Sequence, residues 1–314
     1  MLSAGFYSNP FATLLSGGVG GARLARGLAA VLHGPELAVV VNVGDDDRMH
    51  GVHVAADLDT VVYTLAGIEG SQGWGIEGDT YEVMAALDAM GVDTTFRLGD
   101  RDLGHCLWRT ERLDAGTPLS GCTTALAAAL GVAASILPVT DDPIRTRVRT
   151  AEGDWLAFQD YFVARGHRDD VVAIEYSNAD RAAPAPGVLE SISRARLVLV
   201  GPSNPPLSIW PILAVPGIRE ALAGCGRVVA VSPLFGGKPV KGPADRVMAG
   251  LGLPPGTEGV LAAYDGVITD LVVDVGDEAD LGLETEATIH TADIRIGDAE
   301  SGKRFATWLV ERFS

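Results

Sequence analysis

The sequence predicts an α/β fold: a Rossmann-like, mostly parallel, doubly wound sheet with an inserted helical subdomain. Three observations predict it. Runs such as AVVVNV, RLVLVG and RVVAVS are apolar throughout rather than alternating, as strands buried on both faces require. These runs alternate with helical segments, which is the pattern of a parallel sheet covered on both sides. The first run ends in SGGVGGARLARGL, a glycine-rich turn that passes at once into a helix.

The elements follow in order. Strands are expected at Ala12–Ser16, Leu37–Val43, Ala134–Val139, Val171–Tyr176, Arg196–Gly201, Arg227–Ser232, Val267–Val275 and Ala287–Ile296. Between the second and third lie three helical stretches, Thr80–Met90, Asp102–Ala115 and Leu119–Leu130, with Gly91 and Gly116 where C-terminal caps belong. Residues 12–59 and 134–314 are therefore expected to form the nucleotide-binding core, and residues 60–133 a helical insertion. Residues 1–11 read as a disordered lead-in, or as the product of an upstream start codon.

Composition narrows the function. The 314 residues include 47% hydrophobic and 21% charged side chains, and carry a formal net charge of −17. A nucleic-acid partner calls for a basic footprint, which this chain lacks. No apolar run is long enough to cross a bilayer, and the N-terminus lacks the basic start and apolar stretch of a signal peptide. Cys106, Cys122 and Cys225 are odd in number and without CxxC spacing, which disfavours disulfides and zinc and fits a reducing cytoplasm. An acidic protein can still bind anions where arginines, backbone N–H groups or a bound cation reverse the local field.

The glycine-rich turn offers Gly17, Gly18, Gly20 and Gly21 at the start of a helix. Backbone N–H groups there, at the positive end of the helix dipole, suit an anion. The spacing matches neither GxGxxG nor a Walker A loop, so a turn needed only for packing explains it as well. The second strand runs into VNVGDDDRMHGVHVAADLDT, which sets Asn42, Asp45, Asp46 and Asp47 at a strand end and Asp57 and Asp59 before the next helix. Ligands bind at strand carboxyl ends in such sheets. Crowded carboxylates there suit Mg2+, which takes one or two carboxylates and fills its other positions with water and phosphate oxygens. Asp57 alone also reads as a helix cap, and one of Asp46 and Asp47 as a solvated loop residue. His50 and His53 read as lining beside the loop.

Further along, Arg97, Asp100, Arg101 and Asp102 mark the entry to a helix, with Arg109 two turns later. Guanidinium groups match phosphate oxygens, but capped helices with exposed ion pairs look the same in sequence. GPSNPP after the RLVLVG strand places Ser203 and Asn204 in a rigid turn before a helix, a binding turn more than a simple cap. Lys238 and Lys241 in FGGKPVKG add a possible anion contact on a loop.

The segments LLSGGVGGARLARGL, VVVNVGDDDRMHGV, DLDTVVYTLAG, GWGIEGDT, LGDRDLGHCLWRT, LPVTDDPIRT, FQDYFV, GPSNPPLSIWPILAVPGIREAL and VSPLFGGKPVKGPADRVM resemble, in order, the CofD family. The resemblance implies a cytoplasmic, magnesium-dependent transferase of coenzyme F420 biosynthesis, homodimeric, with small-molecule substrates. It would move a GDP-linked three-carbon phospho-acid, 2-phospho-L-lactate or phosphoenolpyruvate, onto the ribityl hydroxyl of the deazaflavin alcohol 7,8-didemethyl-8-hydroxy-5-deazariboflavin (Fo), releasing GMP. Asp45 and Asp57 would hold the metal, and Asp59, matching the DLDT element, would bind Fo and orient or deprotonate its hydroxyl. Arg97 would contact Fo. Gly17–Gly21 (Gly17, Gly18, Gly20 and Gly21) and Ser203 and Asn204 would cradle the guanylyl and phosphate groups, Asn42 would bind substrate, and Arg101 and Lys238 would stabilise developing charge. The chain differs from actinobacterial members in its third aspartate and shorter C-terminal end. A distant likeness to YvcK-type gluconeogenesis factors implies the alternative, a non-catalytic nucleotide-sugar sensor.

Overall fold

A computed structural model describes residues 10–314, so most of the expected lead-in lies outside the described residues. Seven strands form the central sheet: β1 (Ala12–Ser16), β2 (Leu37–Val41), β3 (Ser135–Pro138), β4 (Leu197–Val200), β5 (Val228–Val231), β6 (Asp270–Asp274) and β7 (Thr288–Ala292). Their spatial order is β7-β6-β5-β4-β1-β2-β3, and every neighbouring pair runs parallel. Every residue of β1, β2, β4 and β5 is buried, which is why these strands carry no polar alternation.

The order has a consequence for function. From β1 the chain steps one way to β2 and β3, then returns to place β4 on the other side of β1. The crevice beyond the ends of β1 and β4 is therefore the topological switch point, where open α/β sheets bind ligands.

Five helices lie in the first half: α1 (Gly18–Ala29), α2 (Ala56–Ala66), α3 (Glu82–Ala89), α4 (Asp100–Asp114) and α5 (Leu119–Ala129). The expected insertion, 60–133, is shared between two cores. Val61, Val62 and Tyr63 of α2 and Leu119 and Leu126 of α5 belong to the main core around the sheet. Met84, Leu98, Leu103 and Cys106 form a satellite core with Val52 and Val54. Those two valines come from a hairpin, Asp47–Met49 with Val52–Val54, whose turn holds His50 at φ 50° and Gly51 at φ 84°.

Val171–Tyr176, expected among the parallel strands, does not join them. The strand Val171–Ser177 lies in a separate antiparallel sheet with Arg145–Thr150 and Trp155–Ala157. Only Val171 of it is buried, and Val172 and Glu175 are exposed, so it lacks the cover on both faces that the central strands have.

Candidate functional site

Three chain segments deliver the site to the switch point. The end of β1 supplies Gly17 and Gly18, the end of β2 supplies Asn42 to Asp46, and the turn after β4 supplies Ser203. All but the half-buried Gly18 are buried. The first turn of α2 adds Asp57.

Hydrogen bonds join these groups. Asn42 Nδ2 donates to Asp57 Oδ2 at 3.0 Å and to Asp45 Oδ1 at 3.2 Å, using both amide hydrogens on two carboxylates. Asn42 Oδ1 accepts from Gly44 N at 2.7 Å, which fixes the amide against its own loop. Gly18 N donates to Asp57 Oδ1 at 2.6 Å. The anion held at the start of α1 is thus the protein's own Asp57 carboxylate. Ser203 Oγ donates to Gly17 O at 2.7 Å and accepts from Gly17 N at 3.4 Å, tying the β4 turn to the glycine turn. Gln159 Nε2 donates to Asp45 O at 2.8 Å.

Space around the glycines explains their presence. A Cβ on Gly17 would lie 2.6 Å from Ser208 Cβ and 2.7 Å from Asp57 Oδ2. Gly18 has φ +63° and nothing within 4 Å of its Cβ position, so its free side opens on the crevice. Gly20 and Gly21 instead sit against Pro202 O and Ser16 Oγ, at 2.2 and 2.3 Å from their Cβ positions, and hold α1 close to β1 and β4.

Burial sets the electrostatics. Desolvation pushes the Asp45 carboxyl well above its ordinary range, and the charges of Asp57 and Asp46 push it further. Desolvation raises Asp57 to about 6 against the hydrogen bonds from Asn42 and Gly18. It raises Asp46 too, opposed first by His53, whose Nε2 lies 3.2 Å from Asp46 Oδ2. The other Asp46 oxygen, Oδ1, is buried with no hydrogen-bond partner among the described residues. Three buried carboxylates that resist ionisation, one with an orphaned oxygen, form an oxygen-rich acidic set whose chemistry fits a hard divalent cation.

Asp59 belongs to a different group. Two residues apart on α2, Asp57 and Asp59 cannot face the same way. Asp59 turns to α4, where its Oδ1 pairs with the Arg109 guanidinium. Beside it, Tyr63 O–H donates to Asp102 Oδ1 at 2.8 Å and lies 2.9 Å from His105 Nδ1. Asp59, Asp102 and Cys106 can bring ligand atoms within 4.8 Å of one another, but Arg109 already neutralises Asp59 there.

The remaining expected residues sit apart. Arg97 is exposed and stacks its guanidinium 4.6 Å from the centre of the Tyr81 ring. Arg101 is exposed, 3.6 Å from Asp79 Oδ1, and donates to Glu77 O. Lys238 is exposed on the hairpin Leu234–Phe235 with Lys238–Pro239. Asn204 uses its Oδ1 to accept from Leu207 N at 3.2 Å, as a helix cap does. Among the described residues no hydrogen bond or ion pair joins these four to Asn42, Asp45 or Asp57. A cavity of about 320 Å³ lies away from them along α1, lined by Val19, Arg23, Arg26 and Glu69 among others.

Sequence reading missed the pairing of Arg109 with Asp59 and the Gln159 clamp on the Asp45 carbonyl. Arg109 carried a signal: it follows Leu103 and Cys106 at helical spacing on the inward face of α4. Gln159 carried none, because its partner is a backbone atom 114 positions away.

Fold and site together define the class: a doubly wound α/β protein with buried acidic residues at the switch point of a parallel sheet. Within that class the chain belongs to the CofD family, a family of transferases: the pattern described as 2-phospho-L-lactate transferase CofD matches residues 12–304. The chain is 44% identical over 273 residues to the phosphoenolpyruvate transferase of Kitasatospora aureofaciens, covering 84% of this chain and 85% of that one. It is 39% identical over 307 residues to the 2-phospho-L-lactate transferase of Methanosarcina acetivorans, covering 96% and 98%. A UPF0052-family protein from Bacillus halodurans has the same fold, with a TM-score of 0.64 and 17% identity over 96% of this chain and 99% of that one. No described helix is long and apolar enough to cross a membrane.

Proposed function

We propose that this protein transfers a three-carbon phospho-acid, carried as its anhydride with GMP (the acid thus bearing a GDP group), onto the ribityl hydroxyl of Fo in coenzyme F420 biosynthesis, with GMP as the leaving group. The observation that carries the reading is the Asn42 bridge between Asp45 and Asp57 beside the open side of Gly18, at the switch point. Phosphoryl transfer needs in-line positioning and charge neutralisation, and no covalent nucleophile. Buried acids beside a helix start supply the means for both.

Asp45 and Asp57 would hold Mg2+, with Asp46 adjoining. The bound ion would neutralise charge on the phosphate oxygens. The chain's own groups do the rest. Asn42 keeps the two carboxylates together, Ser203 fixes the glycine turn, and Gly18 leaves room for a phosphate next to the start of α1. Asp59, across α2, orients the attacking hydroxyl and accepts its proton. The hydroxyl oxygen forms the new bond to phosphorus as the bond to the GMP oxygen breaks.

Relatives are named for both acids, so the test supplies each. Purified protein is incubated with Mg2+, Fo and the GMP anhydride of either 2-phospho-L-lactate or phosphoenolpyruvate, and products are identified by mass. Formation of the matching phosphodiester and GMP is the expected result. Absence of both products with both donors, while a UDP-sugar binds, would replace the reading with a nucleotide-sugar sensor.

A further inference from the structure

We infer that Arg109 is a positioning residue for Asp59, aiming its free carboxylate oxygen at the acceptor hydroxyl; the inference rests on the transferase reading above. Helix α4 turns Leu103, Cys106 and Arg109 inward. The first two join the satellite core, whereas the third brings a guanidinium to 2% exposure. A charge so buried persists only where partners meet it.

Arg109 has such partners on two elements. One terminal nitrogen, Nη2, donates to Asp59 Oδ1 on α2. The other, Nη1, donates to the His53 carbonyl at 3.2 Å, on the strand Val52–Val54. The planar guanidinium therefore cannot rotate without losing one of the two bonds. With Oδ1 fixed, the direction of Asp59 Oδ2 is fixed as well. That oxygen is buried and has no hydrogen-bond partner among the described residues. An orphaned buried acceptor is costly in the free protein, and an alcohol O–H is the kind of donor that would satisfy it. Arg109 touches Asp59 and not the reacting atoms, so it acts through orientation. A lysine at this position keeps the charge but, with a single ammonium, does not reproduce the planar fork.

The test uses the full chain with four variants: Arg109→Lys, Arg109→Met, Asp59→Asn and the double variant Asp59→Asn with Arg109→Met. Thermal melts check folding, steady-state kinetics give kcat and KM for the donor, and deazaflavin fluorescence gives Fo affinity. Arg109→Lys is expected to fold, keep the donor KM, and lose kcat by about 100-fold, the scale of an ångström-sized misplacement. A folded Arg109→Lys with kcat within about threefold of wild type overturns the inference. Arg109→Met alone strands the Asp59 charge, so the double variant, with neither charge, is the control against misfolding. It should bind Fo and turn over as Asp59→Asn alone does; a further tenfold loss, roughly, would show that Arg109 acts independently of Asp59 and overturn the inference. If wild type neither binds Fo nor transfers either acid, the transferase reading fails. A crystal structure of Arg109→Lys then decides the remaining point: a displaced Asp59 carboxylate supports positioning, and an unmoved one refutes it.

Discussion

Gly18 N donates to Asp57 Oδ1 at 2.6 Å, joining the first turn of α1 to the first turn of α2. This bond changes the meaning of the glycine-rich turn. In the free protein the turn is already satisfied by an internal carboxylate, so glycine is needed at residue 17 for the approach of Asp57 as much as for any ligand.

Gly17→Ala should therefore damage the site from within. Its Cβ would meet Asp57 Oδ2 at 2.7 Å and Ser208 Cβ at 2.6 Å, so Asp57 or Ser208, in the short helix Pro205–Ile209, must shift. Overpacking of this kind costs about 1–3 kcal/mol. Gly18→Ala is the contrasting case, because its Cβ meets nothing within 4 Å and the cost is the left-handed φ of +63°. That strain is about 1–2 kcal/mol. The expectation is that Gly17→Ala abolishes transfer and weakens Mg2+ binding, whereas Gly18→Ala leaves metal binding alone and raises the donor KM. Calorimetric titration with Mg2+ and donor kinetics on both variants check it; equal metal affinity in Gly17→Ala and wild type would contradict it.

The paired carboxylates predict a metal-dependent stability. An ion that binds only the folded state at a hundred times its Kd stabilises by about 2.7 kcal/mol. Wild-type protein in Mg2+ should melt several degrees higher than in chelator, and Asp45→Asn and Asp57→Asn should lose most of that difference. Without the metal the order reverses. Each Asn variant removes a buried carboxylate that resists ionisation, so it should be at least as stable as wild type in chelator. Melting curves of the three proteins under both conditions test the pair of statements.

Asp102 predicts a pH effect that is separable from the metal site. Burial raises its carboxyl from 3.8 to about 7, with the Asp59 charge adding to the shift and the Tyr63 hydrogen bond opposing it. The folded state thus binds this proton more tightly than the unfolded chain does. The stabilising contribution is complete below pH ~4 and is lost as pH rises through ~7. Burial lowers the pKa of neighbouring His105 instead, and its contribution runs the other way, falling away below pH ~6.5. Comparing wild type with Asp102→Asn isolates the first effect, since His105 remains in both. Asp102→Asn should gain on the order of 2 kcal/mol relative to wild type between pH 5 and pH 8. Urea denaturation at those two pH values measures it, and a constant difference would remove Asp102 from the account.

The legible parts were those that rest on local pattern. Leu37–Val41 and Leu197–Val200 announce parallel strands because burial on both faces leaves no place for polar residues. The clustering of Asn42, Asp45 and Asp57 was legible because strand ends and helix starts at the switch point of such sheets converge. Val171–Ser177 was misplaced because a short apolar run does not state what it pairs with, and here only one residue of seven is buried. Asp59 and Arg109 lie 50 positions apart and meet only after α2 and α4 pack, so no local signal joins them. The same holds for the fate of Arg97 and Arg101, where exposure depends on neighbours the sequence does not order.

The Asn42 amide gives the last prediction. It is fully buried and donates to Asp57 and Asp45 together, so Asn42→Ala leaves two buried carboxylates facing each other without their shared donor. Leaving buried acceptors unsatisfied costs about 1–3 kcal/mol per group. In chelator Asn42→Ala should lose stability on that scale. In saturating Mg2+ part of the loss should return, because an ion between Asp45 and Asp57 takes over the role of the amide. Asn42→Asp sharpens the contrast: it keeps the shape but adds a charge to the cluster, so it should fall further in chelator and recover more with Mg2+. Urea titrations of wild type and both variants, with and without the ion, supply the comparison. If the losses are the same in both conditions, Asn42 serves the loop through its bond from Gly44 N and does not serve the carboxylates.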